Sequence, residues 1–490
     1  MDLNLNDFTE WLINSWPRLI AATDLMMSLA ASAHAILRKR DNREAVAWVA
    51  IIFLAPIVGS VMYVLLGVNR IKRRAQSLRA ERGRTGLQST RDAASAAMLD
   101  RARDSDAAHL ISLERLVGQI TKRPLEPGNT VVPLVNGDAA YPAMIEAIDA
   151  ATRCITFSTY IFDNDRAGQQ FLAAFQRAMS RGIRVRVLID DMGARYSWPS
   201  MAHVMQRAKI PVARFLPTLV PWRFQYANLR THRKIMVVDG RVGFTGGINV
   251  REGCCLQLQT SSPVQDLHFR VTGPVVAQLQ EVFIDDWAFC TGEILQGDPW
   301  QSDPVMGGTV VARGIPNGPD DDFEHFRLVL LGAIASARTS IIAVTPYFLP
   351  DSSLITALNV AAMRGVQVDI VLPQQNNLVM VQWASNALLW QVLEHGCRVW
   401  LSAPPFDHTK LMIVDGLWSV IGSANWDPRS LRLNFEFNLE CYDRELATKL
   451  TEIAQAKMRS GCQLSLADVE NRGFVVRLRD GIARLFSPFL

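Results

Sequence analysis

The sequence predicts an α/β fold in which two similar domains follow an amino-terminal transmembrane helical segment. Three observations predict it: a long uncharged apolar run near the amino terminus, short β-branched runs alternating with helical patterns after residue 130, and recurrence of motifs within that region. The 490 residues are 49% hydrophobic and only 20% charged. This composition argues against a disordered chain and against a wholly soluble one.

The membrane segment is assigned to residues 1–69, as one or two helices. Ala45–Val68 contains no charged residue, and at about 1.5 Å per residue it is long enough to cross a hydrocarbon core of roughly 30 Å. Leu19–Leu37 is a weaker candidate because Asp24 and His34 interrupt it. We predict it to be either a second span or an interfacial helix.

Residues 70–130 are predicted to form a basic, partly helical linker. Between Arg70 and Arg123 there are thirteen Lys or Arg and six Asp or Glu, so the positive-inside rule predicts that the domains lie in the cytoplasm. The linker either contacts anionic headgroups or is simply solvated. Residues 1–18 lack the pattern of a cleaved signal peptide, so we expect the membrane segment to be retained.

An internal repeat organises the remainder of the chain. The matching segments are Cys154–Phe162 with Ser340–Phe348, Arg181–Ile189 with Arg364–Leu372, and Thr231–Val250 with Asp407–Trp426. A repeat of this period indicates two similar domains rather than a solenoid. We assign them to residues 131–300 and 301–490, with the Gly-, Pro- and Asp-rich Gln296–Pro319 as the linker between them.

Each predicted domain contains the pattern H-x-K-x4-D. The residues are His232, Lys234 and Asp239 in the first domain, and His408, Lys410 and Asp415 in the second. In an extended strand residues i and i+2 share a face, so each His would project beside a fixed cation. The two Asp residues complete the candidate catalytic motifs. Each is followed by Gly between apolar runs, so we expect both to shape a hairpin turn rather than to touch substrate.

Four further polar residues follow the motifs. Small-residue corners end in Asn249 and Asn425, which predicts amide donors near each His–Lys face. Asp266 and Glu436 lie in later strand-like runs. They are candidates to hold the tautomers of the histidines, or alternatively they are surface charges on strands.

These residue types describe an anion site without a metal or a cofactor. Two His, two Lys and two Asn converge without a Cys or paired-carboxylate ligand set, and the seven scattered cysteines show no C-x-x-C. Tetrahedral phosphorus is the guest that such a site fits. One imidazole can attack phosphorus while the other donates a proton to the departing alkoxide.

The paired motifs and their G-[GS]-x-N corners resemble those of the phospholipase D superfamily. Within it, the amino-terminal apolar segments, the basic stretch and the run His408–Glu440 are similar to bacterial cardiolipin synthases. The resemblance covers nearly the whole chain. It implies two pseudo-twofold-related phospholipase D-like domains, each a mixed sheet flanked by helices, with one active site at their interface. It also implies a multi-pass protein of the cell inner membrane.

The resemblance further implies individual roles. His232 would be the nucleophile that forms a phosphatidyl-histidine, and His408 would protonate the leaving glycerol and then deprotonate the incoming hydroxyl. The remaining implied roles are phosphoryl binding by Lys234, Lys410, Asn249 and Asn425, and orientation of the histidines by Asp266 and Glu436. Two phosphatidylglycerols would give cardiolipin and glycerol, without nucleotide or metal.

Several alternatives remain open from the sequence. A phospholipase would transfer the same intermediate to water, and another phosphatidyltransferase would use a different alcohol. A nuclease would be expected to lack the membrane span, and a non-catalytic membrane adaptor would not need both His–Lys pairs. We therefore expect phospholipid and membrane partners and no nucleic acid, with the oligomeric state unassigned. Leu216–Trp222 and the carboxyl-terminal run from Phe474 either contact lipid or pack in the ordinary way.

Overall fold

The computed structural model describes residues 5–39, 42–67, 107–217, 229–319 and 322–487. The described residues up to 67 belong to one compact unit, and those from 107 onwards belong to a second. The first unit contains α1 (Leu5–Arg38), α2 (Asn42–Leu54), α3 (Pro56–Met62) and a π-helical turn, Tyr63–Gly67. Most of the predicted linker and most of Leu216–Trp222 lie outside the described residues.

The preferred membrane-spanning run is not one continuous helix. Within the described residues, the one helix long and apolar enough to cross a membrane is Ser15–Arg38, which contains the weaker candidate. The prediction of a single helix over Ala45–Val68 is wrong because α2 ends at Leu54 and Pro56 begins a new helix. Proline has no amide hydrogen and its ring clashes with the preceding turn. Val68 lies outside the described residues.

The helices of the first unit pack through an aromatic cluster. The ring of Tyr63 lies 5.3 Å from that of Trp48, and its hydroxyl lies 2.7 Å from Nδ1 of His34. This contact supplies a partner for a polar group in an otherwise apolar helix. The small side chains of Ala31 and Ala35 are buried beside it, while large apolar side chains such as Met26 are exposed.

In the second unit, fifteen of the described strands form one mixed sheet. The strands of the first half are β1 (Glu126–Val135), β2 (Cys154–Thr159), β3 (Arg184–Asp190), β4 (Val212–Phe215), β5 (Ile235–Val238), β6 (Val242–Gly246), β7 (Val264–Gln265) and β8 (Leu267–Thr272). Those of the second half are β9 (Val310–Asn317), β10 (Ser340–Val344), β11 (Gln367–Pro373), β12 (Arg398–Ser402), β13 (Phe406–Asp407), β14 (Leu411–Val414), β15 (Trp418–Gly422), β16 (Glu436–Tyr442) and β17 (Cys462–Leu464). The short strands β7 and β13 pair with each other outside this sheet.

The strand order reads the same outward from the middle of the sheet. It is β17-β12-β11-β10-β14-β15-β16-β9-β1-β8-β6-β5-β2-β3-β4, so every strand except the edge strand β17 has a counterpart in the other half. β9 and β1 pair antiparallel at the centre, while β2, β3 and β4 are parallel, as are β10, β11 and β12. The predicted pair of mixed α/β halves is therefore confirmed, but the halves share one sheet.

Helices cover both faces of this sheet. α4 (Ile111–Thr121) packs in the core of the second half, and the helices of the first half are α5 (Asn136–Asp149), α6 (Arg166–Ser180), α7 (Met201–Arg207) and α8 (Val276–Thr291). In the second half they are α9 (His325–Ser336), α10 (Ser352–Met363), α11 (Val379–Asn386), α12 (Leu389–Leu393), α13 (Pro428–Arg432), α14 (Arg444–Ser460), α15 (Leu466–Glu470) and α16 (Phe474–Leu485). On one face α8 and α14 pack in a core common to both halves. On the other face each half has its own core.

The predicted linker between the halves contains a buried strand. β9 lies within Gln296–Pro319, is buried along its whole length and pairs with both β16 and β1. Composition was misleading here because Gly314 and Pro316 lie within the strand itself. Its one charged residue, Arg313, is paired with Glu440 of β16, with Nε and Oε1 2.5 Å apart. At the other boundary, β1 begins at Glu126, five residues before the predicted start of the first domain.

Candidate active site

The two His–Lys motifs lie in extended segments that are bound to the opposite half of the sheet. The His232 amide donates to the Phe435 carbonyl at 2.8 Å, and the His408 amide donates to the Gln265 carbonyl at 2.7 Å. β7 and β13 pair in parallel beside the second contact, and Thr231 bridges to Phe435 beside the first. His232 is thus held next to Glu436, which follows Phe435, and His408 is held next to Asp266, which follows Gln265.

Those following residues are the two candidate carboxylates, and they are exchanged between the halves. Nδ1 of His232 lies 2.9 Å from Oε2 of Glu436, and Nδ1 of His408 lies 2.8 Å from Oδ2 of Asp266. Both carboxylates are fully buried, which excludes the alternative that they are surface charges. A carboxylate on Nδ1 fixes the proton there and leaves Nε2 of each ring available for chemistry.

The two imidazole rings face each other across the interface of the halves. The ring centroids of His232 and His408 are 6.3 Å apart with the planes at 81°. Burial lowers the pKa of both rings, and the neighbouring lysines Lys234 and Lys410 add to the decrease. Without an anion between them both imidazoles are therefore neutral near pH 7. Neutral imidazole is the form that can attack phosphorus.

A lysine accompanies each histidine, as the i, i+2 spacing predicts. Nζ of Lys234 donates to the His232 carbonyl at 2.7 Å, and Nζ of Lys410 donates to the His408 carbonyl. Burial lowers the pKa of Lys234 to about 7 and that of Lys410 to about 8, against the opposing effect of Glu436 and Asp266. An ammonium has three donors, so each lysine can also donate to an anion at the interface.

The two carboxylates differ in their surroundings. Burial raises the pKa of Asp266 to about 6, although Lys410 and the Leu267 amide oppose this. Burial also tends to raise the pKa of Glu436, but the contacts with His232 and Lys234 outweigh this effect, and the pKa of Glu436 is lowered. Glu436 also accepts from the Ser423 hydroxyl at 2.5 Å and from the Asn434 side chain at 3.2 Å. The His232 side therefore has the more firmly ionised carboxylate.

The small-residue corners lie against these carboxylates. Gly246 and Gly422 have φ of 150° and 157°, and a Cβ at Gly247 would collide with the carboxylate of Asp266. The Asn249 side-chain oxygen accepts from the Ile161 amide at 3.0 Å, so its amide hydrogens remain for a ligand.

The second corner asparagine has different contacts. Asn425 is also buried, and its amide contacts the carboxylate of Asp427. Its side-chain oxygen has no partner among the described residues. The two predicted phosphoryl donors are therefore not equivalent.

The motif aspartates shape turns, as predicted. The Asp239 carboxylate accepts from the Thr152, Arg153 and Cys154 amides at 2.8–2.9 Å. Its counterpart Asp415 accepts from the amides of residues 338–340 at 2.8–2.9 Å and contacts Nε2 of His109 at 2.7 Å. Both have positive φ and lie at the ends of β5 and β14 far from the histidines. Although they belong to the candidate catalytic motifs, their carboxylates do not reach the imidazoles.

Sequence reasoning missed several neighbours of the histidines. The ring of Tyr160 lies 5.3 Å from that of His232, and Tyr347 lies 6.1 Å from His408. Both follow the first strand of a repeat, where a matched aromatic pair was the available signal. Asp190, at the end of β3, is buried and accepts from the Thr231 amide at 2.8 Å. Its burial among apolar residues could have indicated this positioning role.

Comparison with known families and proteins covers most of the chain. Residues 144–287 and 330–458 match the family model described as cardiolipin synthase, PLD-like domain. Residues 27–67 match the model described as phospholipase D-nuclease N-terminal.

Two curated relatives are similar over nearly their full length. The sequence is 31% identical to the cardiolipin synthase of Geobacillus kaustophilus over 484 residues, which cover 96% of this chain and 95% of that protein. It is 31% identical to cardiolipin synthase A of Pseudomonas putida over 474 residues, covering 95% of this chain and 96% of that protein. The fold is similar to the crystal structure of the phosphatidylserine synthase of Haemophilus influenzae, with a TM-score of 0.61 and 15% identity. That match covers 77% of this chain and all of that one.

Proposed function

The chain belongs to the family of phospholipase D-like cardiolipin synthases, and we propose that its paired-histidine site transfers a phosphatidyl group between two phosphatidylglycerol molecules. The products are cardiolipin and glycerol. The observation that carries this proposal is the exchanged pairing of His232 with Glu436 and of His408 with Asp266. This pairing presents two imidazoles, each fixed in one tautomer, to a single space between the halves.

In the first step Nε2 of His232 attacks phosphorus of the donor lipid. The P–N bond forms as the bond between phosphorus and the glycerol oxygen breaks, and protonated His408 donates its proton to that oxygen. An anionic phosphodiester between the rings raises the pKa of His408, which supplies the protonated form that this step needs. The intermediate is a phosphatidyl-histidine, and glycerol leaves.

In the second step the terminal hydroxyl of another phosphatidylglycerol attacks the intermediate. Nε2 of His408 accepts the hydroxyl proton, the new P–O bond forms and the P–N bond breaks. One phosphodiester replaces another, so the step consumes no nucleotide. Lys234, Lys410 and the Asn249 amide bind the phosphoryl oxygens and stabilise the charge that develops on them.

His232 is the better nucleophile because its partner carboxylate is the more firmly ionised. Glu436 stabilises the positive charge that its ring acquires on forming the P–N bond, and Ser423 and Asn434 hold that carboxylate in place. Asp266 has the raised pKa. Asp266 contacts Nδ1 of His408, the ring that releases a proton in the first step and accepts one in the second.

The membrane arrangement follows from the apolar helices and the charge of the linker. We propose a multi-pass inner-membrane protein with both catalytic halves in the cytoplasm, since basic residues follow the apolar segment. Substrate and enzyme then share one membrane, and confinement to its plane raises their encounter rate.

Product analysis tests this function. Purified full-length protein is incubated in mixed micelles with phosphatidylglycerol labelled in its terminal glycerol and in its phosphate, with a chelator and without nucleotide. We expect cardiolipin and free glycerol in equal amounts and no product from His232→Ala. His408→Asn should acquire phosphate label slowly, because it lacks the acid for glycerol, and then retain it, because it lacks the base for the second step. Phosphatidic acid as the main product would make the protein a hydrolase. Full activity in His232→Ala would overturn the mechanism.

A further inference from the structure

The last helix of the described chain turns its large apolar side chains towards solvent. In α16, Phe474, Val475 and Leu485 are 79%, 77% and 71% exposed, and Leu478 and Ile482 are about half exposed. At 100° per residue these five side chains lie within one arc of about 100°. A helix that only completed the fold would direct this arc towards the core.

Charged contacts hold the opposite face of α16 against the protein. Asp480 is buried and forms ion pairs with Arg472 and Arg479 at 2.8 and 2.7 Å. The guanidinium of Arg479 also stacks over the ring of Trp383 in α11, 4.3 Å from its centroid. These contacts fix the rotation of α16, so its apolar arc cannot turn inwards.

Basic side chains border the apolar arc. Arg477 and Arg484 are exposed and project from α16 on one flank of the arc, while Arg479 on the other flank is paired with Asp480. This is the pattern of an interfacial helix, in which apolar side chains enter the acyl boundary and cations contact anionic headgroups. The charge of the flanks is complementary to an anionic lipid surface.

A second set of exposed apolar residues, beside α16, is connected to His408. α11 packs on α16, and its N-cap and first two residues, Leu378–Met380, are exposed. They follow directly after Asn377, whose side chain accepts from the Tyr347 hydroxyl at 2.9 Å. The Tyr347 ring contacts the ring of His408. Two side chains therefore connect the catalytic imidazole to this apolar edge.

The first half has the equivalent arrangement. The loop after β3 carries Trp198, which is 97% exposed, and Tyr196. The Tyr196 side chain is hydrogen-bonded to that of Tyr160, whose ring contacts His232. Each histidine is therefore connected, through a tyrosine of its own half, to a segment that carries exposed apolar residues.

We propose that α16, Leu378–Met380 and Trp198 form a docking surface for an anionic phospholipid bilayer. Docking places the space between the two histidines against the lipid surface. The phosphate of a diacyl lipid then reaches the histidines while its acyl chains stay in the leaflet. That consequence rests on the proposed function, whereas the docking itself requires no turnover.

Site-specific photo-crosslinking to lipid tests the docking surface. Benzoylphenylalanine replaces Phe474, Leu478 or Trp198 in the full-length chain, which is reconstituted in vesicles of one part phosphatidylglycerol to three parts phosphatidylcholine with alkyne-bearing acyl chains. Met363 is the matched control, since it is 63% exposed but ends α10 at the opposite end of the sheet. After irradiation the lipid attached to each variant is quantified.

We expect at least tenfold more lipid on the three surface positions than on Met363, with the same pattern when His232→Ala is also present. Charge reversal at Arg477 and Arg484 should lower the adduct at Phe474 at least threefold in anionic vesicles and leave it unchanged in phosphatidylcholine. Equal labelling of Phe474 and Met363 would overturn the proposal. So would crosslinking of Phe474 to a second copy of the chain instead of lipid. Because labelling is measured without turnover, a failed product analysis would leave the docking result standing.

Discussion

Replacing Glu436 by Gln tests whether the carboxylates serve the histidines of the opposite halves. The variant keeps the shape of the side chain but removes the charge 2.9 Å from Nδ1 of His232. A hydrogen bond to a charged group contributes about 1.5–3 kcal/mol, and each 1.36 kcal/mol corresponds to tenfold in rate, which gives a loss of roughly 10- to 150-fold.

The amide can also impose the wrong tautomer. If Gln donates to Nδ1, the proton moves to Nε2 and the ring cannot attack phosphorus. The corresponding change in Ser-His-Asp enzymes lowers kcat by about 10⁴. We therefore expect Glu436→Gln to slow formation of the phosphatidyl-enzyme by between about 10- and 10⁴-fold, measured as the rate of glycerol release in a rapid-quench experiment.

A substrate with an aryl leaving group separates the roles of the two carboxylates. An aryloxide leaves phosphorus without a proton, so it does not need His408 as an acid. Asp266→Asn should regain a rapid burst of aryloxide with such a phosphatidyl ester, whereas Glu436→Gln should not. The opposite pattern, rescue of Glu436→Gln alone, would refute the exchanged pairing. Circular dichroism of both variants checks that the fold is retained.

Three other predictions follow from the site. Gly247→Ala should lower kcat at least tenfold and also lower the Tm, because its Cβ would collide with the buried carboxylate of Asp266 and displace it from His408. In a pH series, kcat/KM should fall as the pH rises through 7 to 8, where Lys234 and Lys410 lose their protons in the empty site. The free energy of unfolding should rise over the same range, because the unfolded lysines keep their protons until about pH 10.5 and so bind more protons than the folded ones. Asp239→Asn should destabilise the chain by about 1–3 kcal/mol in denaturant titrations while kcat stays within a few-fold, because it loses turn contacts only; a much larger loss of kcat than of stability would contradict the turn role.

The sequence predicts the parts of the site that depend on local pattern. The duplicated H-x-K spacing predicts two His–Lys pairs, and the Asp-Gly pairs predict the hairpin turns at Asp239 and Asp415. Both are local consequences of strand periodicity and turn chemistry. The exchange of carboxylates is not local: Glu436 is 204 residues from its histidine and Asp266 is 142 residues from its own. It depends on how the halves pair, and nothing in the spacing within one half reports this.

The two errors in the fold arise from composition. Counting charges favoured residues 45–68 as the membrane helix, although a proline in the middle of the run interrupts it. Counting Gly, Pro and Asp suggested a linker where β9 forms, although Gly314 and Pro316 lie within this buried strand. In both places the composition of the run does not report where a helix ends or a strand forms.

The antiparallel pairing of β1 with β9 constrains how lipids pass through the enzyme. Glu126 faces Ala312 and Asn129 faces Val310, so a backbone ladder, a shared core and the two histidine–carboxylate contacts all hold the halves together. Such a body cannot part like a clamshell between turnovers, and the space between the imidazoles keeps its width. In the proposed reaction glycerol therefore leaves, and the acceptor lipid binds, without separation of the halves. Donor and acceptor lipid then use the same pair of imidazoles one after the other, so the ping-pong order of the proposed chemistry requires no opening of the scaffold.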